Sequence, residues 1–378
     1  MTKLTKTALA AIAAAALLEL LSSSAVAASF NVQVFAKGAA VGATSPDSVL
    51  FGDGSIWISY QNGADTTGMG GSSTVVRYTP SGVILQKWNI AGNVDGLRMD
   101  PSGLVWALQN NDGNSALTVI NPVTNATTAY SYGSSYTANG NSLGRGFDDA
   151  AFVKGQVFMS ETNPVHGTDP VIVRLTTGLS SPLQPLQIAG ILSSTLTGTN
   201  LATGKQGSTT ITDPDSLILT PRGDLALTGE ADKTIVFVHN AGAASQTESF
   251  VSLLAPNRQP VSGSPDDTIY PTATHGFIYL ADTGANIVYR ITATGLSLSS
   301  VYVDVGHEFG SLDTSTGIVT PIFTGVSPHG GEFVTFPQAG VPEPASFGYA
   351  AAGLALCGAI VYLNRKKATS GKTGRIHD

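Results

Sequence analysis

Short apolar stretches alternating with polar residues and broken by glycine turns run along the body of the chain, and they repeat. Each unit has an acidic residue after proline or an apolar residue, an apolar strand, a Gly turn and a second apolar strand. The first reads Pro46-Asp47-Ser48 through Phe51, then Gly54 and Ile56-Trp57-Ile58. Further copies open at Val94-Asp95-Gly96, Phe147-Asp148-Asp149, Pro214-Asp215-Ser216 and Pro265-Asp266-Asp267, the last followed by Gly276 and Phe277-Ile278-Tyr279. A truncated sixth is Pro328-His329-Gly330. A third strand is expected after each full copy, at 74–78, 117–120, 171–175, 235–239 and 287–291. Polar turns such as Thr79-Pro80-Ser81-Gly82 follow.

Three or four strands per unit, at roughly 40–50 residues per unit, is the signature of a propeller blade. Radial repetition also solves the exposed-edge problem that one very wide sheet would face. The chain is therefore expected to be all-β, a single β-propeller over 29–340. Six blades are the first choice, five or seven the alternatives, with a β-solenoid or two β-sandwiches as competing architectures. The strand Phe30–Ala36 precedes the first copy and is expected to pair with the strand around 331–336, closing the ring. The longest insertion, 178–212, shows no regular strand in this reading and is either a binding edge or a tolerated surface insertion. Loops 61–73 and 131–146 are rich in Gly, Ser, Thr and Asn.

The two ends have a different pattern. Residues 1–28 combine Lys3 and Lys6, an apolar run from Ala8 to Leu21, and the small-x-small sequence Ala25-Val26-Ala27, as a signal peptidase substrate does. Near the other end, Phe347 to Leu363 carries no charge over a length that can span a bilayer. Arg365, Lys366 and Lys367 follow at once, which by the positive-inside bias leaves 364–378 in the cytoplasm and the body outside.

Pro342-Glu343-Pro344 directly before that apolar segment completes a three-part pattern over 341–378. It closely resembles the PEP-CTERM sorting signal of Gram-negative bacteria. The resemblance implies recognition by an exosortase, cleavage near the box, and transfer from the inner membrane to the envelope surface or exopolysaccharide matrix. The membrane helix would then be a transient anchor.

Composition supports a body of turns and short strands: glycine accounts for 43 of 378 residues and charged residues for 12%. The net charge is −7, but residues 28–342 hold 12 Lys and Arg against 23 Asp and Glu, so the body is near −11. That balance argues against nucleic acid and is compatible with cations or with simple solubility. The single cysteine, Cys357, falls in the apolar tail, so the body has no disulfide and depends on burial and strand pairing.

If the strand after each motif is the innermost of its blade, Asp47, Asp95, Asp148, Asp215 and Asp266 converge on one mouth of the channel, with His329 in the sixth position. Converging carboxylates raise one another's pKa or recruit a cation such as Ca²⁺. The structural alternative is that each Asp caps the turn before its own strand. Asn110-Asn111-Asp112-Gly113-Asn114 reads as a hairpin turn, and 161–163, 229–232 and 282–286 as turns on one rim. There is no phosphate loop, Gly-x-Ser-x-Gly elbow or His-Glu-x-x-His motif.

The Asp-headed strands with Pro328-His329-Gly330 look like the propellers related to NHL repeats, gluconolactonases and virginiamycin B lyase, a similarity spread over 46–336. It implies fold more than activity, and His329 is the candidate acid or base by that resemblance. No set of gluconolactonase-like Glu and Asn metal ligands aligns. The reading therefore leans away from an enzyme, towards a binding or scaffold module for a glycan, small molecule or protein. An extracytoplasmic hydrolase or lyase working at the channel mouth is the alternative.

Overall fold

The computed structural model describes residues 27–134, 145–179 and 181–335. The expected signal segment, except its last two residues, and the whole sorting tail lie outside them, as does most of the 131–146 loop. Among the described residues no helix is long and apolar enough to cross a membrane.

The chain enters on strand β1 (Ser29–Lys37) and one helical turn, α1 (Gly38–Val41). Blade one is then β2 (Pro46–Gly52), β3 (Ser55–Tyr60), β4 (Ser72–Tyr78) and β5 (Ile84–Ala91). Blade two is β6 (Val94–Met99), β7 (Val105–Gln109), β8 (Ala116–Ile120) and β9 (Thr127–Ser131). Blade three is β10 (Phe147–Val153), β11 (Gln156–Glu161), β12 (Pro170–Leu175) and β13 (Ile188–Ser193). Within each, consecutive strands pair antiparallel from the channel outward, as short polar turns dictate.

The insertion is more regular than expected. It supplies β13 and a hairpin, β14 (Thr195–Asn200) with β15 (Lys205–Thr210). The hairpin gives little signal in sequence because Leu196 is its one large apolar residue among Thr, Ser, Gly, Asn, Gln and Lys. The hairpin adds to blade four, which is otherwise β16 (Pro214–Leu219), β17 (Leu225–Gly229), β18 (Thr234–His239) and β19 (Thr247–Ser252). β14 pairs parallel to β19 and makes a six-stranded sheet.

The last two blades are interleaved, which corrects the expected hairpin in the fifth copy. β20 (Pro265–Ile269) is the innermost strand of blade five, but the chain then leaves to form β21 (His275–Asp282) and β22 (Ile287–Thr294) of blade six. It returns for β23 (Val301–Val305), β24 (Glu308–Asp313) and β25 (Ile318–Thr324), so β20 pairs with β23 and not with β21. β26 (Pro328–Val334) then supplies the innermost strand of blade six against β21. The ring closes in blade six, but β1 pairs with β22 on the outer edge and not with the last strand. Six blades result.

Hydrophobic clusters fill the gaps between neighbouring blades. Trp57, Trp88 and Leu97 pack between blades one and two, and Phe158, Leu217 and Phe250 between three and four. Blades six and one meet through Phe35, whose ring stands edge-on to Tyr78 and Tyr279. Each such buried side chain contributes about 1.5–3 kcal/mol, and with no cysteine in the body these contacts and the ladders hold the ring together.

Candidate functional site

Every innermost strand carries the same irregularity where the repeated motif falls. Pairing skips two residues between Pro46 and Val49, Val94 and Leu97, Phe147 and Ala150, Pro214 and Leu217, and Pro265 and Thr268. In β26 the skipped pair is His329-Gly330, opposite Ala281. The repeat is thus a β-bulge repeated six times. A bulge releases two residues from the ladder and re-aims their side chains. One residue of each pair meets the channel and the other meets the next blade.

The channel-facing row is Asp47, Asp95, Asp148, Asp215, Asp266 and His329. One carboxylate oxygen from each of Asp95, Asp148 and Asp215 lies within 4.8 Å of the other two. His329 Nδ1 stands 3.4 Å from Asp266 Oδ1 and 3.6 Å from Asp47 Oδ1. The six predicted positions are therefore brought to one place. Among the described residues no backbone N–H reaches Asp47, Asp95, Asp148 or Asp215, and Asp266 receives its bond from Gly330 of the next blade. Turn capping does not account for this row.

Charge divides it into two halves. Asp266 is pushed up by burial, but the His329 charge and hydrogen bond outweigh that and hold it below the ordinary carboxylate range. In return the Asp266 charge lifts His329 to about 11, against the opposing effect of burial. On the other side burial, then the charge of Asp266, raises Asp95 to about 7. Burial and neighbouring acids drive Asp148 and Asp215 well above the usual range, and Asp47 likewise. Asp95 Oδ1 accepts a bond from Gln61 Nε2 at 3.1 Å. Asp148 is buried, and its Oδ2 has no donor.

The second row is Ser48, Gly96, Asp149, Ser216, Asp267 and Gly330, and it joins blades. Ser48 Oγ accepts from Leu97 N–H at 3.0 Å, Asp149 Oδ2 from Leu217 N–H at 2.9 Å, and Asp267 Oδ2 from Gly331 N–H at 2.8 Å. In the same three blades the second strand returns an acceptor to the bulge: Ser59, Ser160 and Asp304 take the N–H of Ser48, Asp149 and Asp267. Arg98 pairs with Asp149. Glycine stands where blades touch backbone to backbone: a Cβ on Gly96 would meet the Asp148 carbonyl oxygen at 2.0 Å, and one on Gly330, at φ +71°, the Asp47 carbonyl oxygen at 2.5 Å.

The cavity between the rows is small, about 20 Å³. That is room for one water or one ion and not for a sugar or lactone ring. Its lining offers carboxylate oxygens and the Ser48 and Ser216 hydroxyls, with Arg98 also on the wall beside Asp149; oxygen donors are the set that hard cations take in preference to zinc. Three carboxylates supply up to six oxygens, and the buried donorless oxygen of Asp148 has only a shared proton or a cation to satisfy it. The residues fit Ca²⁺.

No protein-family model matches the chain, and no curated protein matches it in sequence. Solved structures that resemble it include virginiamycin B lyase from Staphylococcus aureus, 12% identical over 80% of this chain and 92% of that one at a TM-score of 0.45. A second is the periplasmic gluconolactonase of Pseudomonas aeruginosa, 14% identical over 77% and 89% at 0.44. A streptogramin B lyase structure is 14% identical over 80% and 90% at 0.43. These are likenesses of fold, and the blade count rests on the strand pairing described above.

Proposed function

We propose that the protein is an exported propeller that holds Ca²⁺ at its channel mouth and acts in the envelope or surrounding matrix as a binding or scaffold module for a glycan, small molecule or protein. The observation that carries this reading is the convergence of Asp95, Asp148 and Asp215, with carboxylate oxygens within 4.8 Å of one another, Asp148 buried, beside an ion-sized space. A bound cation would offset the repulsion among these carboxylates and fix the rim that meets a ligand. The address rests on the sequence: a signal peptidase removes the leader, and an exosortase reads Pro342-Glu343-Pro344 ahead of the apolar segment and Arg365-Lys366-Lys367.

The catalytic alternative would use His329 and the nearby channel acids as proton-transfer groups, with His329 exchanging a proton near neutrality. A group held at about 11 stays protonated there and is a poor general base.

Calorimetric titration of the chelator-stripped protein tests the proposal. One saturable Ca²⁺ heat is expected, abolished in Asp148→Asn. No heat at millimolar Ca²⁺ would leave only a shared proton. Turnover of lactones or cyclic esters that disappears in a His329→Ala, Asp215→Ala double variant would replace the binding reading with the catalytic one. Mass spectrometry of the mature C-terminus tests the sorting: an intact Arg365–Lys367 segment would make the protein a permanent membrane protein.

A further inference from the structure

A wide groove lies away from the channel, on the flank of blade four. It measures about 680 Å³ and is bounded by blade four, the β14–β15 hairpin and the near edge of blade five. Three of its lining residues stand in a row, Asp224 against His239 and His239 hydrogen-bonded to Ser249. Asp224 Oδ1 stands 3.0 Å from His239 Nδ1, and His239 Nε2 stands 3.0 Å from Ser249 Oγ.

Strand register explains the alignment. Leu225 pairs with Val238, so Asp224, just ahead of β17, sits beside His239 at the end of β18. His239 pairs with Thr247, and Ser249 is two residues further along β19, on the same face and on the diagonal. All three side chains therefore project into one groove from three neighbouring strands.

We propose that this groove is a second, hydrolytic site in which Ser249 is the nucleophile, His239 the general base and Asp224 the carboxylate that orients it. A carboxylate on Nδ1 fixes the proton there and leaves the Nε2 lone pair towards the serine hydroxyl, which is the arrangement acyl transfer requires. Ser249 is buried and lines the groove. Arg222, in the β16–β17 turn, lines the same groove and gives its wall a positive charge. The wall is rich in hydroxyls, among them Thr197, Thr199, Ser300 and Ser315, so the substrate class is a carboxylic ester of a polar alcohol.

The chemistry balances without a further reactant except water. Ser249 Oγ adds to the ester carbonyl carbon as its proton passes to His239 Nε2. The carbon–oxygen bond to the alcohol breaks, and the leaving alkoxide takes that proton. Water then attacks the acyl-serine by the same route, releasing the carboxylic acid and restoring the serine.

A fluorophosphonate probe on the intact protein is the test, with peptide mapping by mass spectrometry. Labelling of Ser249 is expected in the native wild-type protein and not after unfolding in urea, a comparison that needs no variant. Ser249→Ala should abolish labelling, and Asp224→Asn should slow it at least ~100-fold, the loss expected when the histidine is no longer oriented. Absence of label, label on another serine, or an unchanged rate in Asp224→Asn would each overturn the proposal.

Discussion

Asp148 and Asp149 are neighbours in the chain, of one residue type and both buried, yet they belong to opposite regimes. Asp149 accepts the backbone N–H groups of Ala150 and Leu217 and pairs with Arg98. Asp148 faces the channel beside other carboxylates, with an oxygen that no donor reaches. The contrast recurs between the two rows of the ring as a whole. Burial alone does not decide whether a carboxylate builds the fold or stresses it; the donors within reach do. A one-residue step in a bulge is enough to move an acid from one set of neighbours to the other.

The largest expected effect breaks the supporting row. Asp149→Ala leaves Arg98 without its partner and Leu217 N–H without an acceptor, and urea denaturation should show a loss of about 3–5 kcal/mol. A loss no larger than that of an ordinary surface substitution would erase the distinction between the rows.

The next effect has the opposite sign. Asp148→Asn removes a buried carboxyl whose charged form its neighbours disfavour, so the metal-free protein should gain on the order of 1 kcal/mol at a pH where that carboxyl is ionised, while losing its Ca²⁺ response. Proton linkage sharpens the point. Asp95 titrates at about 7 and Asp267 at about 6 in the folded protein, while an unfolded carboxylate releases its proton near the reference value of 3.8. The native state thus holds more protons across that window, and metal-free stability should fall as pH rises from about 4 towards 7. Millimolar Ca²⁺ should flatten the slope; denaturation curves at pH 5 and pH 8, with and without metal, measure it.

The smallest effect concerns the neutralised side of the ring. His329 is raised from 6.5 to about 11, so its stabilising contribution is complete below about 6.5 and is lost as pH rises through about 11. The side chain is partly open to solvent, and His329→Gln should cost no more than about 1 kcal/mol at pH 7. The difference from wild type should vanish above pH 11.

Much of the fold was legible because each blade repeats one local instruction: an acid, an apolar strand, a glycine turn and a second strand. What such a pattern cannot encode is partnership. β20 has the same alternation as the other innermost strands, and nothing within Pro265–Ile269 distinguishes a hairpin with Phe277–Tyr279 from a ladder with Val301–Val305. The channel acids could be picked out because they recur at one motif position. The supporting acids Asp149 and Asp267 have a signal of their own in the doubled Asp at 148–149 and 266–267: adjacent side chains in extended backbone point apart, so one of each pair leaves the channel. Arg98 and Asp304 gave no signal, since their roles arise only from contacts across blades or strands distant in sequence. Ser249, His239 and Asp224 are invisible for the same reason. No short motif spans three strands.

The interleaving of the last blades also fixes an order of events in time. Blades one and two are each made from one continuous run of chain and can pair as soon as that run exists. β20 instead has to wait for β23, and the β21–β22 hairpin waits for β26 to cover its inner edge, with each delay spanning the other blade's strands. Long-range pairing of this kind is slow to form. The first blades can therefore assemble during synthesis, while the fifth and sixth are completed as a pair, and only once the chain has been made as far as Val334.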